Sequence, residues 1–308
     1  KLAVTGNLNS GMKSESEKES FEQELVNLLE IIAKKGSLVS LDLSSNRFSL
    51  DFIDKMLNSL KVFKIIKVLS LESCLLSYDA FEKILSAEPF SNIQHLNLSH
   101  NDFSCFNDTG PRTIFLKVFP NLKKLVLNHC HLKIEHLSKL FADGYKNLKE
   151  LDLSDNTLGD EILPALKPLN LDYLFLRNCN IEFKNPGELA QSINHKHMDI
   201  SNQNGFWKPE IQQNVAAFLE RAFELEKEIV KIVCYGIEID LKVRTKLAQF
   251  EKQLAFGLLL KKAQSNHKKV KDEFDSYFDR ENEEEHWHRE KRKEQFKKKS
   301  GKHERFFE

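Results

Sequence analysis

The chain has 308 residues, which is enough for one large domain or two smaller ones with a sizeable buried core. Its 46 basic (Lys and Arg) and 46 acidic residues balance, so no net charge draws the whole molecule to nucleic acid or to a membrane surface. The apolar run from Leu254 to Leu260 is too short to cross a bilayer, so we expect no membrane insertion. The odd number and unpaired spacing of the cysteines indicate reduced thiols in a cytosolic or nuclear protein; these residues are Cys74, Cys105, Cys130, Cys179 and Cys234.

A short pattern recurs along the first two thirds of the sequence. Its template is LVSLDLSSNRF at Leu38 to Phe48, with leucine at the first, fourth and sixth positions and Asn46 at the ninth. The fourth position moves from Leu41 in steps of 28, 27, 29, 26, 23 and 24 residues, and the last copy is degenerate. Chance does not produce this recurrence, so the sequence predicts an array of stacked repeats. The later fourth positions are Leu69, Leu96, Leu125, Leu151, Leu174 and Met198.

Each position of the template has a physical role. Side chains alternate along a strand, so the two leucines of L-x-L lie on one face, and stacked copies form a continuous apolar spine. The ninth position alternates between Asn and Cys. A side chain there can donate hydrogen bonds to backbone carbonyls that would otherwise be buried without a partner. These residues are Asn46, Cys74, Asn101, Cys130, Asn156 and Cys179.

The segments between the predicted strands have the spacing of helices. Upstream of the first full copy, Leu2, Val4 and Asn7 fit a strand and turn, and a polar loop at Asn9 to Lys18 precedes a helix. We therefore expect this first strand to lie inside a longer array. Pro164 and Pro168 shorten the helix of the fifth repeat. Apolar residues predict four further helical faces: Phe21, Leu25, Leu28, Leu29 and Ile32; Phe52, Ile53, Met56, Leu57 and Leu60; Phe81, Ile84 and Leu85; and Ile134, Leu137, Leu140 and Phe141.

These features resemble the ribonuclease-inhibitor-like class of leucine-rich repeats, from Leu2 to Gln203. The steps near 28 residues, the intervening helices and the Asn/Cys alternation carry the resemblance. It implies an α/β solenoid, in which a curved parallel sheet faces a partner and helices line the convex side. Members of the class are mostly intracellular, non-catalytic binders of other proteins. They include inhibitors, GTPase-activating proteins, actin regulators and axonemal subunits, so the fold alone does not choose among these roles.

The sequence changes character after the repeats. Apolar residues at helical spacing predict a first long helix from Ile211 to Ile232, which would cap the open end of the array. A second predicted helix, Val243 to Leu258, has a narrow apolar stripe typical of a coiled coil. Acidic residues at 279–285 and basic residues at 289–299 then indicate a solvent-exposed charged helix. We divide the chain into 1–36 (partial repeat), 37–206 (repeats), 207–264 (helical cap and coiled-coil-like helices) and 265–308 (charged tail).

A binding surface is expected on the outward strand positions that flank the inward leucines. Tyr173, Phe175 and Arg177 stand out, because exposed aromatic and arginine side chains are enriched in binding hot spots. We predict that these three bind a protein partner and that Glu150, Asp152 and Asp199 border them. The alternative is that the two aromatic side chains pack against the C-terminal helices of the same chain.

The sequence contains no motif of a catalytic centre, a phosphate loop or a zinc site, so neither an enzyme, a metal nor a cofactor is predicted. The leading hypothesis is a cytoplasmic scaffold of a large intracellular assembly, with a cytoskeletal or ciliary (axonemal) subunit as the specific expectation. It would bind proteins through the concave repeat face and the C-terminal helices. One alternative is a regulator of a small GTPase, in which Arg177 would reach the nucleotide. Another, less favoured, is a nucleic-acid adaptor that uses the basic stretch at 289–299.

Overall fold

The computed structural model describes residues 1–6, 14–63, 65–87, 89–104, 118–141, 146–225 and 231–236. The chain divides into two units, Lys1–Leu247 and Ala248–Glu308, and all the described residues belong to the first. The predicted helix from Val243 to Leu258 and the charged tail lie outside the described residues. The four-segment division of the chain stays a prediction.

Nine parallel strands form a single sheet in which each strand pairs with the next one along the chain. The registered partners across the sheet are the fourth-position residues of the template, such as Leu41 with Leu69 and Leu174 with Met198. The solenoid predicted from the repeat pattern is therefore confirmed. The strands are β1 (Leu2–Ala3), β2 (Ser40–Asp42), β3 (Val68–Ser70), β4 (His95–Asn97), β5 (Lys124–Val126), β6 (Glu150–Asp152), β7 (Tyr173–Phe175), β8 (His197–Asp199) and β9 (Lys231–Val233).

Helices connect most of these strands and cover one side of the sheet's apolar spine. In the second helix, all five predicted apolar residues are buried. Its first turn is capped by Ser49, whose Oγ accepts a hydrogen bond from the backbone N–H of Phe52 (3.1 Å). The helices are α1 (Glu15–Lys35), α2 (Leu50–Val62), α3 (Tyr78–Leu85), α4 (Ile134–Leu140), α5 (Ile162–Leu166), α6 (Pro186–Ser192) and α7 (Pro209–Glu224).

The ninth template position forms the predicted hydrogen-bonded ladder. Asn156 is 1% exposed, and its Nδ2 donates to the carbonyls of Leu127 and Leu153 at 2.8 Å each. Its Oδ1 accepts from the backbone N–H groups of Cys130 (3.0 Å) and Leu132 (2.9 Å) in the preceding repeat. Asn101 likewise accepts from the backbone N–H of Leu76 in the preceding Cys74 repeat. Because a thiol sulfur is only a weak acceptor, Asn101 and Asn156 satisfy the turns of the Cys repeats before them. Gln203 has the same role in the degenerate copy, where its Oε1 accepts from the N–H groups of Cys179 and Ile181.

The structure corrects two predictions. The polar loop does not extend to Lys18, because α1 begins at Glu15 after its N-cap Ser14. The helix predicted from Ile211 to Ile232 is also wrong in its second half. It ends at Glu224, and Ile232 lies in β9, registered with Met198. Helix α7 packs against α6 and leads into a further strand, so it takes the place of another repeat helix rather than an end cap. Three- and four-residue apolar steps continue across this boundary and hide it.

Candidate protein-binding surface on the strands

Outward side chains form three rows across the sheet. The first row holds the residue before each registered leucine, the second row the residue after it, and the third row the residue three positions after it. Because the strands are paired in register, side chains of one row on neighbouring strands lie about 5 Å apart. At the C-terminal end, the first row contains Tyr173, His197 and Lys231, and the second contains Phe175, Asp199 and Val233. The third contains the exposed Arg177 and Tyr235, with the buried Ser201 between them.

The three predicted binding residues all lie on this surface. Tyr173 is 46% exposed, and its ring stacks on the imidazole of His197 with 4.7 Å between centroids and 13° between planes. Phe175 is half-buried between its registered neighbours Asp152 and Asp199. Arg177 is exposed, and its Nε lies 3.6 Å from Asp199 Oδ2. The structure therefore brings the aromatic and arginine side chains onto one continuous surface.

The three predicted bordering acids also have structural contacts. Glu150 Oε1 accepts from Lys124 Nζ at 2.5 Å, so this carboxylate is already neutralised by the strand before it. Asp152 Oδ1 and Asp199 Oδ1 each accept a hydrogen bond, at 3.0 Å, from the backbone N–H two residues onward. These bonds stabilise the turns that follow β6 and β8. Each aspartate keeps a second oxygen that none of these turn bonds uses.

Residues that the sequence analysis did not assign to the site extend the surface. His197 precedes Met198 as Tyr173 precedes Leu174, so the repeat pattern places it on the outward face beside Tyr173. Tyr235 was not recognised, since the sequence around it was interpreted as lying beyond a helix. It is 63% exposed and follows Val233 at the edge of the sheet. A signal was present: Ile229, Ile232 and Cys234 repeat the L-x-x-L-x-L spacing of the template. We call Tyr173, Phe175, Arg177, His197 and Tyr235 the aromatic patch.

Electrostatics keep the aromatic patch close to neutral at its centre. The pKa of His197 is lowered from 6.5, first by burial and then by the positive charge of Lys231. A neutral imidazole stacks on the Tyr173 ring without presenting a charge to an incoming apolar surface. Within the patch, the guanidinium of Arg177 then carries the full charge, next to the carboxylate of Asp199. The ammonium group of Lys231 borders the patch beside His197.

Outward positions near the N-terminal end are polar and bond to one another. Ser44 Oγ lies 2.8 Å from Ser70 Oγ and donates to Asp42 Oδ1 at 2.6 Å. Asn97 Nδ2 donates to Glu72 Oε2 at 2.9 Å across the next pair of strands. These groups satisfy each other within the sheet, so little of their hydrogen-bonding capacity is left for a partner.

The thiols of the buried cysteines are chemically unreactive. Burial raises the pKa of Cys74, Cys130 and Cys179 to about 12, so these thiols are protonated at neutral pH and are poor nucleophiles. They serve the turn ladder, where each Sγ donates to backbone carbonyls; Cys130 Sγ, for example, lies 3.4 Å from the carbonyl oxygen of Leu98.

Several histidines gather at the turns that follow β4 and β5. The rings of His100 and His129 have centroids 5.0 Å apart, and His131 Nδ1 lies 3.4 Å from Asp102 Oδ1. His136 is separate and buried, and its Nδ1 accepts from the N–H of Lys133. Within the part of the chain that the structure covers, no three His, Cys, Asp or Glu side chains converge closely enough to hold a metal ion. None of the helices in those same residues combines the length and hydropathy needed to cross a bilayer.

The family model described as "Leucine Rich repeat" matches residues 146–167, which contain β6 and α5. This match falls on one copy of a unit that the sheet repeats in register from β1 to β9. The chain is a leucine-rich-repeat protein. Membership of the ribonuclease-inhibitor-like class of leucine-rich repeats stays a prediction.

Solved structures similar to this leucine-rich-repeat chain include the mouse RP105/MD-1 complex, at 22% sequence identity and a TM-score of 0.43. That similarity covers 63% of this chain and 30% of the other, so the chain spans less than a third of the protein it matches. A second is the C-terminal domain of Caenorhabditis elegans tropomodulin, at 10% identity and a TM-score of 0.25, covering 79% of this chain and 98% of that one. Both TM-scores are below 0.5, and neither protein's role is carried over to this chain. Leucine-rich repeats generally serve as non-catalytic surfaces that bind other proteins.

Proposed function

We propose that this chain is a non-catalytic scaffold that binds a protein partner through the aromatic patch. The observation that carries the proposal is the exposure of Tyr173 and Tyr235, at 46% and 63%, on a sheet face whose other end is polar. Large aromatic side chains are costly to leave in water, and tyrosine and arginine dominate the energetics of protein interfaces. A partner that covers the patch would bury both rings and keep their hydroxyls at its rim.

The chemistry of the patch favours a partner with an apolar centre and a polar edge. Phe175 and Val233 supply apolar area in the second row, where they alternate with Asp152 and Asp199. Arg177 lies beside Asp199, so this pair can exchange its internal contact for contacts with a partner of either charge. The carboxylates that border the patch (Glu150, Asp152 and Asp199) then determine how the partner is oriented, whereas most of the affinity comes from other contacts.

The scaffold is proposed to belong to a cytoplasmic assembly, with the cytoskeleton or a ciliary axoneme as the specific candidate. Two features support this proposal. The patch offers one binding surface, and the sequence from Val243 onward has the composition of long helices that could engage a second protein. A chain with two binding regions connects its neighbours, which is what a subunit of a large assembly does.

Affinity capture with cross-linking from a native cell extract tests this function. The full chain serves as bait, and lysine-reactive cross-links near the patch, at Lys124 and Lys231, are identified by mass spectrometry. The double variant Tyr173→Ala/Phe175→Ala should lose the cross-linked partner, because each lost hot-spot side chain weakens binding by about 2 kcal/mol or more, or roughly 30-fold.

The matched control is Val68→Ala/Ser70→Ala, which changes the same two strand positions in β3. It should capture the same partner as the unsubstituted chain. Equal capture by both double variants would contradict the proposal. So would a partner cross-linked only to lysines of the helical side, such as Lys61 or Lys83.

A further inference from the structure

A groove lies along the end of the sheet at which the strands begin, away from the aromatic patch. It has a volume of about 530 Å³ and crosses the segments that lead into β2 to β6. Its lining includes Ile65, Lys67, Gln94, Asn121, Lys123 and Asn147. Nothing in the proposed function uses this edge.

Lysines of one register position give the groove its charge. Lys67 and Lys123 lie two residues before the registered leucines of β3 and β5, and Lys149 holds the same position before β6. All three are exposed, and none forms an ion pair among the residues that the structure describes. The neighbouring acids are already engaged: Glu150 pairs with Lys124, and Asp172 accepts from Lys196 at 2.7 Å. The lysines therefore keep their charge for an external anion.

Asparagines lie beside these lysines, four residues before the registered leucines of β4, β5 and β6; they are Asn92, Asn121 and Asn147. Asn121 Nδ2 donates to the carbonyl of Ser91 at 2.9 Å, and Asn147 Nδ2 donates to the carbonyl of Pro120 at 3.3 Å. Asn147 Nδ2 also lies 3.5 Å from Asn121 Oδ1, so the two carboxamides are linked to each other as well as to the preceding repeats. Among the described residues, Asn147 Oδ1 and the side-chain oxygen of Gln94 accept no hydrogen bond, and they can accept from the backbone N–H groups of a bound chain.

One end of the groove is apolar. Val39 and Ile65 line it and are 43% and 40% exposed. The groove therefore combines an apolar end, two unpaired lysines (Lys67 and Lys123) and amide acceptors. Strands lie about 4.8 Å apart, so Lys67 and Lys123 are separated by about 10 Å. This is the span of three residues of an extended peptide in the polyproline II conformation, in which side chains three positions apart lie on one face.

We propose that this groove binds an acidic, extended peptide segment of a protein partner, with an apolar side chain against Val39 and Ile65 and carboxylates at Lys67 and Lys123. The amide acceptors favour a polypeptide, because a peptide backbone offers N–H donors and a phosphodiester backbone does not. The lining also holds no aromatic side chain on which a nucleic-acid base could stack.

Fluorescence anisotropy with defined peptides tests the proposal on the full chain. The probe is the labelled hexapeptide LESSEE, in which leucine precedes glutamates at the spacing of the lysines, together with its reversed sequence EESSEL. The variant Lys67→Glu/Lys123→Glu should bind the better of the two probes about 10-fold more weakly, because attraction becomes repulsion at both positions. The variant Ile65→Ser should weaken LESSEE by a few-fold yet leave the probe SESSEE unchanged.

The matched control is Lys34→Glu/Lys35→Glu, which reverses two exposed lysines at the end of α1. It should bind within about two-fold of the unsubstituted chain. If both lysine variants bind equally, the peptide is held elsewhere, for example by the basic stretch at 289–299, and the proposal is overturned. Tighter binding of a labelled single-stranded oligonucleotide that Lys67→Glu/Lys123→Glu abolishes would also overturn it. The variant Tyr173→Ala/Phe175→Ala should bind the peptide normally, so the groove and the aromatic patch can fail independently.

Discussion

The two ends of the strand face share one scaffold and differ in what they present. In β2 to β4 most outward side chains are polar, with Val68 as an exception, and Ser44, Ser70 and Asn97 bond to neighbours within the sheet. In β7 to β9 the same rows carry Tyr173, Phe175 and Val233, whose rings and methyl groups have no such bonds to make. Inward, both ends are alike, since Leu69 and Leu174 are 2% and 1% exposed. Stability is therefore set by the inward positions and binding by the outward ones.

The largest effect on the free energy of unfolding is expected for the asparagines of the turn ladder, which runs through both ends of the sheet. Asn101→Ala and Asn156→Ala should lower the free energy of unfolding by about 3 and about 4 kcal/mol, because several buried backbone groups lose their partner. Asn156 accepts from two backbone N–H groups, whereas Asn101 accepts from one, that of Leu76. Asn156→Ala should therefore cost about 1 kcal/mol more. Urea unfolding followed by circular dichroism measures both values.

The exposed neighbour variant Thr157→Ala is the control for this pair and should change stability by about 0.5 kcal/mol or less. If the two ladder variants were as mild as the control, the Asn positions would not support the turns. A large loss at only one of them would show that the two ends do not share a scaffold.

An intermediate effect is expected for outward side chains. Tyr173→Ala/Phe175→Ala should lower the free energy of unfolding by about 2 kcal/mol or less, since both rings are already partly in water. The inward change Leu174→Ala on the same strand should cost about 3 kcal/mol. Thermal unfolding of the two variants compares them directly. A collapse of the double variant would mean that the aromatic side chains are packed within the chain, as the alternative interpretation of the sequence holds.

The smallest expected effect is on the pH dependence of stability, to which one histidine at each end of the sheet contributes. Burial is the main cause that lowers the pKa of His95 in β4 and of His197 in β8 below 6.5. A lowered pKa means that the unfolded chain takes up protons first, so this contribution to stability is full above pH 6.5 and is lost as the pH falls through the folded pKa.

The variants His95→Gln and His197→Gln should each flatten the fall in melting temperature between neutral and mildly acidic pH. Because the imidazole of His197 also stacks on Tyr173, His197→Gln should lower partner binding as well, whereas His95→Gln should not. A melting temperature that depends on pH equally in all three proteins would contradict the role assigned to these histidines.

The scaffold could be predicted from the sequence because inward positions obey one rule. Leu41, Leu96 and Leu151 recur with the same neighbours, and the buried turn requires a hydrogen-bonding side chain whatever lies outside. That side chain is Asn or Cys in the full copies and Gln203 in the degenerate one. The last repeat was missed because Ile229 and Ile232 also continue the helical spacing of α7, and spacing alone does not show where a helix ends.

The candidate surface was only partly predictable for a related reason. Tyr173, Phe175 and Arg177 could be placed outward by counting from Leu174, so their exposure followed from the repeat. The stacking of Tyr173 on His197 depends on side-chain orientation across two strands, which the repeat does not fix. The position of Tyr235 depends on recognising β9, and the groove at Lys67 and Lys123 depends on which nearby acids are already paired.

Hydroxyl-radical footprinting of the full chain, with and without its captured partner, tests directly whether the partner binds the aromatic patch. Aromatic side chains oxidise readily when they are exposed, so Tyr173 and Tyr235 report on the aromatic patch in the same sample as residues of the polar end. The account predicts that the partner protects Tyr173, Phe175 and Tyr235, while oxidation of Val68 in β3 is unchanged. Protection at β3 with free access to Tyr173 would contradict it.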